Sequence, residues 1–398
     1  MFGRGHNQHI QHRINPDTAE NSVLGGPPRA HRPASAGPDV RALFQQRVAG
    51  DDALLRLANV RFRQAGMPAE VYADNPDHLE YLLGFVPEHL TLPVVHLNRS
   101  ANLLDGSGRS LVEAFASRFA GRVAGLVVHD KGDMVDRLPE VVTALRELGT
   151  PRPVRAGRPM VYLEFATGLP VDRFVELARR IADVALASMC IDIGHVGIQQ
   201  AKRSLIESRP DLTWKGLSIR DPRLPEVVDE VQAATGTALP AVLRLTETIG
   251  AIGKPVHFHL HDGHPLVPGL SDHFSFLTRV PVPVPVAGRY ALPSMFGPAG
   301  LADVLRTAVR ACSPGSASFT LEIHQVEGRL PLADAADLFA HWRDLTNAER
   351  MDYWPTVLAD NHLLATTALD DRRLDAAAVD APQPTSSPAV TASRIPVR

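Results

Sequence analysis

Between Ala69 and Ile323 the chain alternates short apolar runs with longer segments in which apolar residues recur every three to four positions. A short apolar run is a strand buried on both faces, and the longer recurrence is an amphipathic helix. The strand-like runs are Ala69–Ala73, Leu92–Leu97, Val123–His129, Met160–Glu164, Met189–Asp192, Pro255–Leu260 and Ser318–Ile323. Helical stretches lie between them at Asp77–Phe85, Ser110–Phe119, Arg137–Leu148, Val171–Ala185, Pro225–Ile252 and Ala299–Ala311. This alternation predicts βα units around a parallel sheet. Closure needs one more strand, assigned to Ser22–Leu24 ahead of a helix starting near Val40. The expected fold is therefore an α/β class TIM (β/α)8 barrel.

Four of the runs end on residues that bind metals. Glu164, Asp192, His259 and Glu322 stand at or just past strand ends that are otherwise apolar. A charged group there needs a reason, and the C-terminal end of barrel strands is where active sites assemble. Carboxylates and imidazoles together suit Mn²⁺, Mg²⁺, Fe²⁺, Co²⁺ or Zn²⁺. Singly, each residue has an ordinary use, such as capping a helix or pairing with an arginine; jointly they predict a divalent-metal site.

Further candidates surround these four. His195 follows Asp192 by three residues and would be another ligand or a holder of substrate hydroxyls. His257, His259 and His261 alternate onto one face of their strand. At a rise of about 3.3 Å per residue they cannot all reach one ion, so some must be supporting or pocket residues. His96 (before Asn98) and His129 (before Asp130) add imidazoles at the same end of the barrel and would serve a second or third ion. Asp272 and His273 form a further pair in a long loop.

Composition narrows the function classes. The chain has 398 residues, 44% hydrophobic and 21% charged, which gives a soluble protein with ample core. A formal net charge of −3 provides no global attraction to nucleic acid, so the expected partner is a small molecule, with a homo-oligomer allowed. Cys190 and Cys312 read as buried thiols in a reducing compartment. No apolar run approaches the roughly 20 residues of a membrane span, and the first residues lack a signal peptide's apolar core, so a cytoplasmic location is expected. Residues 1–37 and 376–398 are rich in Pro and polar residues and read as disordered tails around a barrel spanning 38–375. His6, His9 and His12 belong to the first tail and read as solvated. Two long connections, Gln199–Lys254 and His261–Ala299, leave the catalytic end and should shape the pocket. The second carries the Val-Pro repeat of 281–286, read as extended and semi-rigid.

With these residues in view, the chain resembles the xylose-isomerase-like barrel superfamily, which joins sugar isomerases and epimerases with the endonuclease IV family (AP endonuclease family 2). The resemblance covers residues 65–345. It is carried by Tyr162-Leu163-Glu164, Cys190-Ile191-Asp192-Ile193-Gly194-His195, His259-Leu260-His261-Asp262-Gly263 and Leu321-Glu322, together with a glycine-containing loop at 292–301. It implies that Glu164, Asp192, His259 and Glu322 bind the catalytic metal. In the endonuclease IV branch, histidines on two earlier strands complete a three-metal cluster, and His96 and His129 fall there. The same branch has a Glu-Asn-Thr-Ala-Gly stretch and an Asp-x-His pair. Here these positions read Glu164-Phe165-Ala166-Thr167-Gly168 and adjacent Asp272-His273. In the epimerase branch one ion grips two substrate oxygens while Glu164 and Glu322 would move a proton beside a polarised carbonyl. His195, His261 and Arg289 would then hold the substrate. The leading expectation is a divalent-metal-dependent isomerase, epimerase or related lyase acting on a sugar-like molecule. The alternatives are an endonuclease IV-like multi-metal phosphoesterase and a multinuclear iron oxidase.

Overall fold

A computed structural model of the protein describes residues 38–44, 51–87, 90–149, 157–212, 221–264, 284–286, 290–292, 294–322, 355 and 358–370. In chain order the strands are β1 (Val40–Phe44), β2 (Ala69–Ala73), β3 (Val94–Leu97), β4 (Gly125–His129), β5 (Met160–Glu164), β6 (Ala187–Asp192), β7 (Val256–Leu260), β8 (Val284–Val286), β9 (Tyr290–Leu292) and β10 (Ala317–Leu321). Eight of them close a barrel in the order β1-β10-β7-β6-β5-β4-β3-β2, every neighbouring pair parallel. This is the TIM barrel that the alternation predicts. β8 and β9 form a separate antiparallel pair, so part of the Val-Pro repeat is strand.

The first strand corrects the sequence reading. Val40–Phe44, read as the start of a helix, is β1 and pairs with β10 and β2. Helix α1 (Asp52–Ala65) begins later, where the Asp51 side chain accepts from Leu54 N. Arg41 obscured the strand, because a buried strand is expected to be apolar. Its guanidinium is accommodated by Leu92 O and by Asp39 at 3.2 Å. Ser22–Leu24 lies outside the described residues.

The remaining helices are α2 (Pro76–Leu83), α3 (Gly106–Arg118), α4 (Leu138–Gly149), α5 (Val171–Arg180), α6 (Ile193–Ser208), α7 (Leu224–Gly236), α8 (Ala238–Gly250) and α9 (Gly297–Ala311). The stretch 225–252, expected as one helix, is divided at Thr237 after Gly236, a weak helix former. Outward residues such as Val95, Leu126, Leu163, Ile191, Phe258 and Phe319 are buried in the apolar layer that joins strands to helices. Both cysteines are buried and free. Among the described residues, no helix is long and apolar enough to cross a membrane.

Two buried aspartates fix loops at the catalytic end. Asp130 accepts from the backbone N–H groups of Ala166, Gly168 and Leu169, each at 2.8 Å. That turn contains Thr167 at φ 66°, a region costing a non-glycine residue about 1–2 kcal/mol. Burial pushes the Asp130 carboxyl up to about 7, against the pull of those three donors. Asp262 does the same for the loop entering α9, accepting from Gly263 N at 2.7 Å and Gly297 N at 2.8 Å. Asp130→Ala leaves three orphaned donors and a strained turn. We expect it to lower stability by roughly 2–4 kcal/mol in denaturant titration. A change below about 0.5 kcal/mol, the size of an ordinary surface substitution, would show that the turn holds without Asp130.

Candidate metal centre

The inward positions of β3, β5, β7 and β10 bring imidazoles and carboxylates together at the top of the barrel. His96, Glu164, His259 and Glu322 are all fully buried. His259 Nδ1 lies 3.2 Å from Glu164 Oε1 and 3.0 Å from Glu322 Oε2. His96 Nε2 lies 3.0 Å from Glu164 Oε2 and 3.8 Å from Glu322 Oε1. One donor atom from each of the four falls within 4.8 Å of all the others.

Asp192 is not in that group; it belongs to two neighbouring ones. Glu164, Asp192 and His195 form one set with the same mutual spacing, and Asp192, His261 and Glu322 form another. His261 Nε2 is 2.6 Å from Asp192 Oδ1, and His195 Nε2 is 3.5 Å from Asp192 Oδ2. Asp192 also caps α6, its side chain accepting from His195 N at 2.8 Å. Gly194 follows because the first turn of α6 lies against the His261 ring, where an added Cβ would come within 1.9 Å. The three sets are thus joined pairwise, each junction being one carboxylate: Glu164, Asp192 or Glu322.

Electrostatics follow from this crowding. Burial alone would raise Glu164, yet His129, His96 and His259 around it hold its carboxyl well below the usual range. Burial would lower His259, but Cys190, Glu322, Glu70 and Glu164 outweigh that and hold it well above its ordinary value. His96 and His261 are raised too, against burial, mainly by Glu164 and Asp192 respectively. His129 is pushed down to about 3 by burial. Its Nε2 lies 3.6 Å from Glu164 Oε2 and its ring 4.6 Å from that of His96.

These residues fit a divalent ion. Glu164 Oε2 is buried without a hydrogen bond although two imidazoles approach it. A buried carboxylate oxygen left this way is costly, and a cation among mixed oxygen and nitrogen donors removes the cost.

A further carboxylate below the cluster escaped the sequence reading. Glu70, fully buried on β2, has Oε2 2.6 Å from Thr320 Oγ1, which donates to it, and 3.0 Å from His257 Nε2. Its Oε1 lies 3.0 Å from His259 Nε2. His259 is therefore held between Glu70 on one nitrogen and Glu164 with Glu322 on the other. Tyr72, two residues on, stacks on His96 at 4.0 Å and donates to Glu322 Oε1 at 3.4 Å. The signal was present as a Glu inside an apolar run, but in mid-strand rather than at a strand end. His257, pushed down to about 4 by burial, forms with Cys190 and His259 a further group of donor atoms within 4.8 Å of one another. Asp272, His273 and Arg289 lie outside the described residues.

Beside the cluster a cavity of about 560 Å³ is lined by His129 and His195, by the turn at Ala166–Gly168, and by residues of the β3 and β4 loops and α6. Two imidazoles of the cluster region thus also face the space where a substrate would sit.

No protein-family model and no curated protein matches the chain. Among solved structures it is similar to the crystal structure of AsfvAP:AG, at 16% identity over 84% of this chain and 100% of the other, with a TM-score of 0.47. It is also similar to a thermostable mutant of a xylanase from Cellvibrio japonicus, at 10% identity, 73% and 87% coverage and a TM-score of 0.39. D-threonine aldolase from Filomicrobium marinum matches at 16% identity, 56% and 49% coverage and a TM-score of 0.29. At these values the likenesses carry no argument about activity. The functional reading rests on the site.

Proposed function

We propose that this barrel is a divalent-metal-dependent hydrolase of a small molecule, with a centre for two or three ions. The sharing of carboxylates carries the reading. Glu164, Asp192 and Glu322 each belong to two donor sets, and a carboxylate has two oxygens with which to span two ions. Such ions, when bound, would supply Lewis acidity and a water acidic enough to attack near neutral pH. In hydrolysis the water oxygen bonds to the electrophilic atom, the bond to the leaving oxygen breaks, and the water's proton passes to that oxygen. Among the described residues lining the cavity, His129 stands outside the three donor sets and faces the space where that transfer would occur. The cavity volume lies within the range of small-molecule sites, and the net charge of −3 argues against a polyanion partner.

The isomerase or epimerase reading stands second. It is favoured by the convergence of Glu164 and Glu322 on His259 from β5 and β10. One ion would then suffice, held by the His96–Glu164–His259–Glu322 set, with His129 outside it. Elemental analysis of anaerobically purified protein separates the two. Two or three zinc or manganese ions per chain are expected, with at least one lost in the His96→Ala/His129→Ala double variant. A single ion per wild-type chain would overturn the hydrolase reading in favour of the isomerase. Iron, with oxygen uptake on adding a peptide, would assign the oxidase chemistry instead.

A further inference from the structure

The cavity beside the cluster is lined by three cationic side chains from three different elements. Arg99 follows β3, Lys131 follows β4, and Lys202 lies on α6. Lys131 Nζ donates to Arg99 O, which ties the two loops into one rim. The carboxylate in the lining is Asp130, and both its oxygens are occupied by the backbone donors of the 166–169 turn. The inner wall is formed by His129 and His195.

Cationic side chains gathered around one concavity raise its positive potential and draw anions into it. Neutral sugar hydroxyls are ordinarily matched by carboxylates, which accept, and by amides, which accept and donate; beside the one amide of Gln199, this lining offers three cations, which donate alone. Arginine and lysine around a small cavity match a compact dianion. We infer that this cavity is an anion pocket and that the substrate is a small molecule bearing a phosphate group, held by Arg99, Lys131 and Lys202. This names the substrate class of the proposed hydrolase and rests on that reading only for what the bound molecule then meets.

Inorganic phosphate is the probe, titrated calorimetrically into the full-length protein after chelator treatment, so that binding to ions does not contribute. Binding is expected to weaken about tenfold or more in Lys131→Gln/Lys202→Gln, and separately in Arg99→Gln, since each removes a charge-assisted hydrogen bond. Arg99 is exposed and the two lysines half-buried, so thermal unfolding should match the wild type in all variants. Phosphate affinity unchanged by both variants overturns the anion pocket. Displacement of phosphate by a short duplex DNA at equal phosphate concentration overturns the small-molecule assignment. Metal content measured on the untreated samples keeps the two readings apart. Phosphate binding that depends on the rim in a protein without bound metal leaves the pocket standing and removes the hydrolase. A metal-loaded protein whose phosphate binding ignores the rim does the reverse.

Discussion

Glu164→Gln is expected to empty the centre while leaving the barrel folded. Glu164 is the junction of the His96–His259–Glu322 set and the Asp192–His195 set, so its loss removes a donor from two positions at once. The amide keeps the shape but presents a donor where a cation would need an acceptor. Changes one shell further out already lower metal affinity about 10–100-fold, so a fall beyond about 100-fold is expected here, with turnover lost in parallel. The fold should survive, because the groups Glu164 now holds charged can release their protons. Burial lowers His96 and His259, and Glu164 is among the charges that offset it. Elemental analysis and thermal unfolding on the same sample check both halves. A variant that retains its full metal complement would place the centre elsewhere in the barrel.

Glu70 gives the second large effect, and it acts through His259. Burial works against its charge, but His259 and His257 outweigh that and depress its carboxyl far below the usual range. The carboxylate faces His259 Nε2 and so leaves Nδ1 as the nitrogen turned toward Glu164 and Glu322. A carboxylate behind a ligand histidine fixes the ring's orientation and raises its basicity. Glu70→Gln is expected to weaken metal binding about 10–100-fold with little change in fold. Glu70→Leu should in addition cost about 3–5 kcal/mol, the penalty for breaking a buried ion pair and leaving its partners uncompensated. Calorimetric titration with Co²⁺, together with its visible spectrum, separates the effects. An unchanged affinity and spectrum in Glu70→Gln would reduce Glu70 to a structural counter-charge.

The barrel was legible because parallel strands buried on both faces are apolar runs, and seven of its strands are such runs. The strand it hid, β1, carries Arg41, whose tolerance depends on Leu92 O and Asp39, partners a sequence does not display as contacts. Glu164, Asp192, His259 and Glu322 stood out as charge at strand ends. Their grouping was not legible. Strand register and tilt place His96 with Glu164 and send Asp192 toward His195 and His261, and no local pattern encodes that. Glu70 was obscured for a related reason: a carboxylate in mid-strand shows its purpose only once β7 and β10 are known to face β2.

Asp192 occupies two roles that ordinarily fall to different residues. It ends the hydrogen-bond ladder of α6 and it joins two of the donor sets. The same helix carries His195, Gln199 and Lys202 into the cavity wall. Any ligand that draws on the Asp192 carboxylate would therefore meet it at the first turn of α6, the helix that also forms part of the cavity wall.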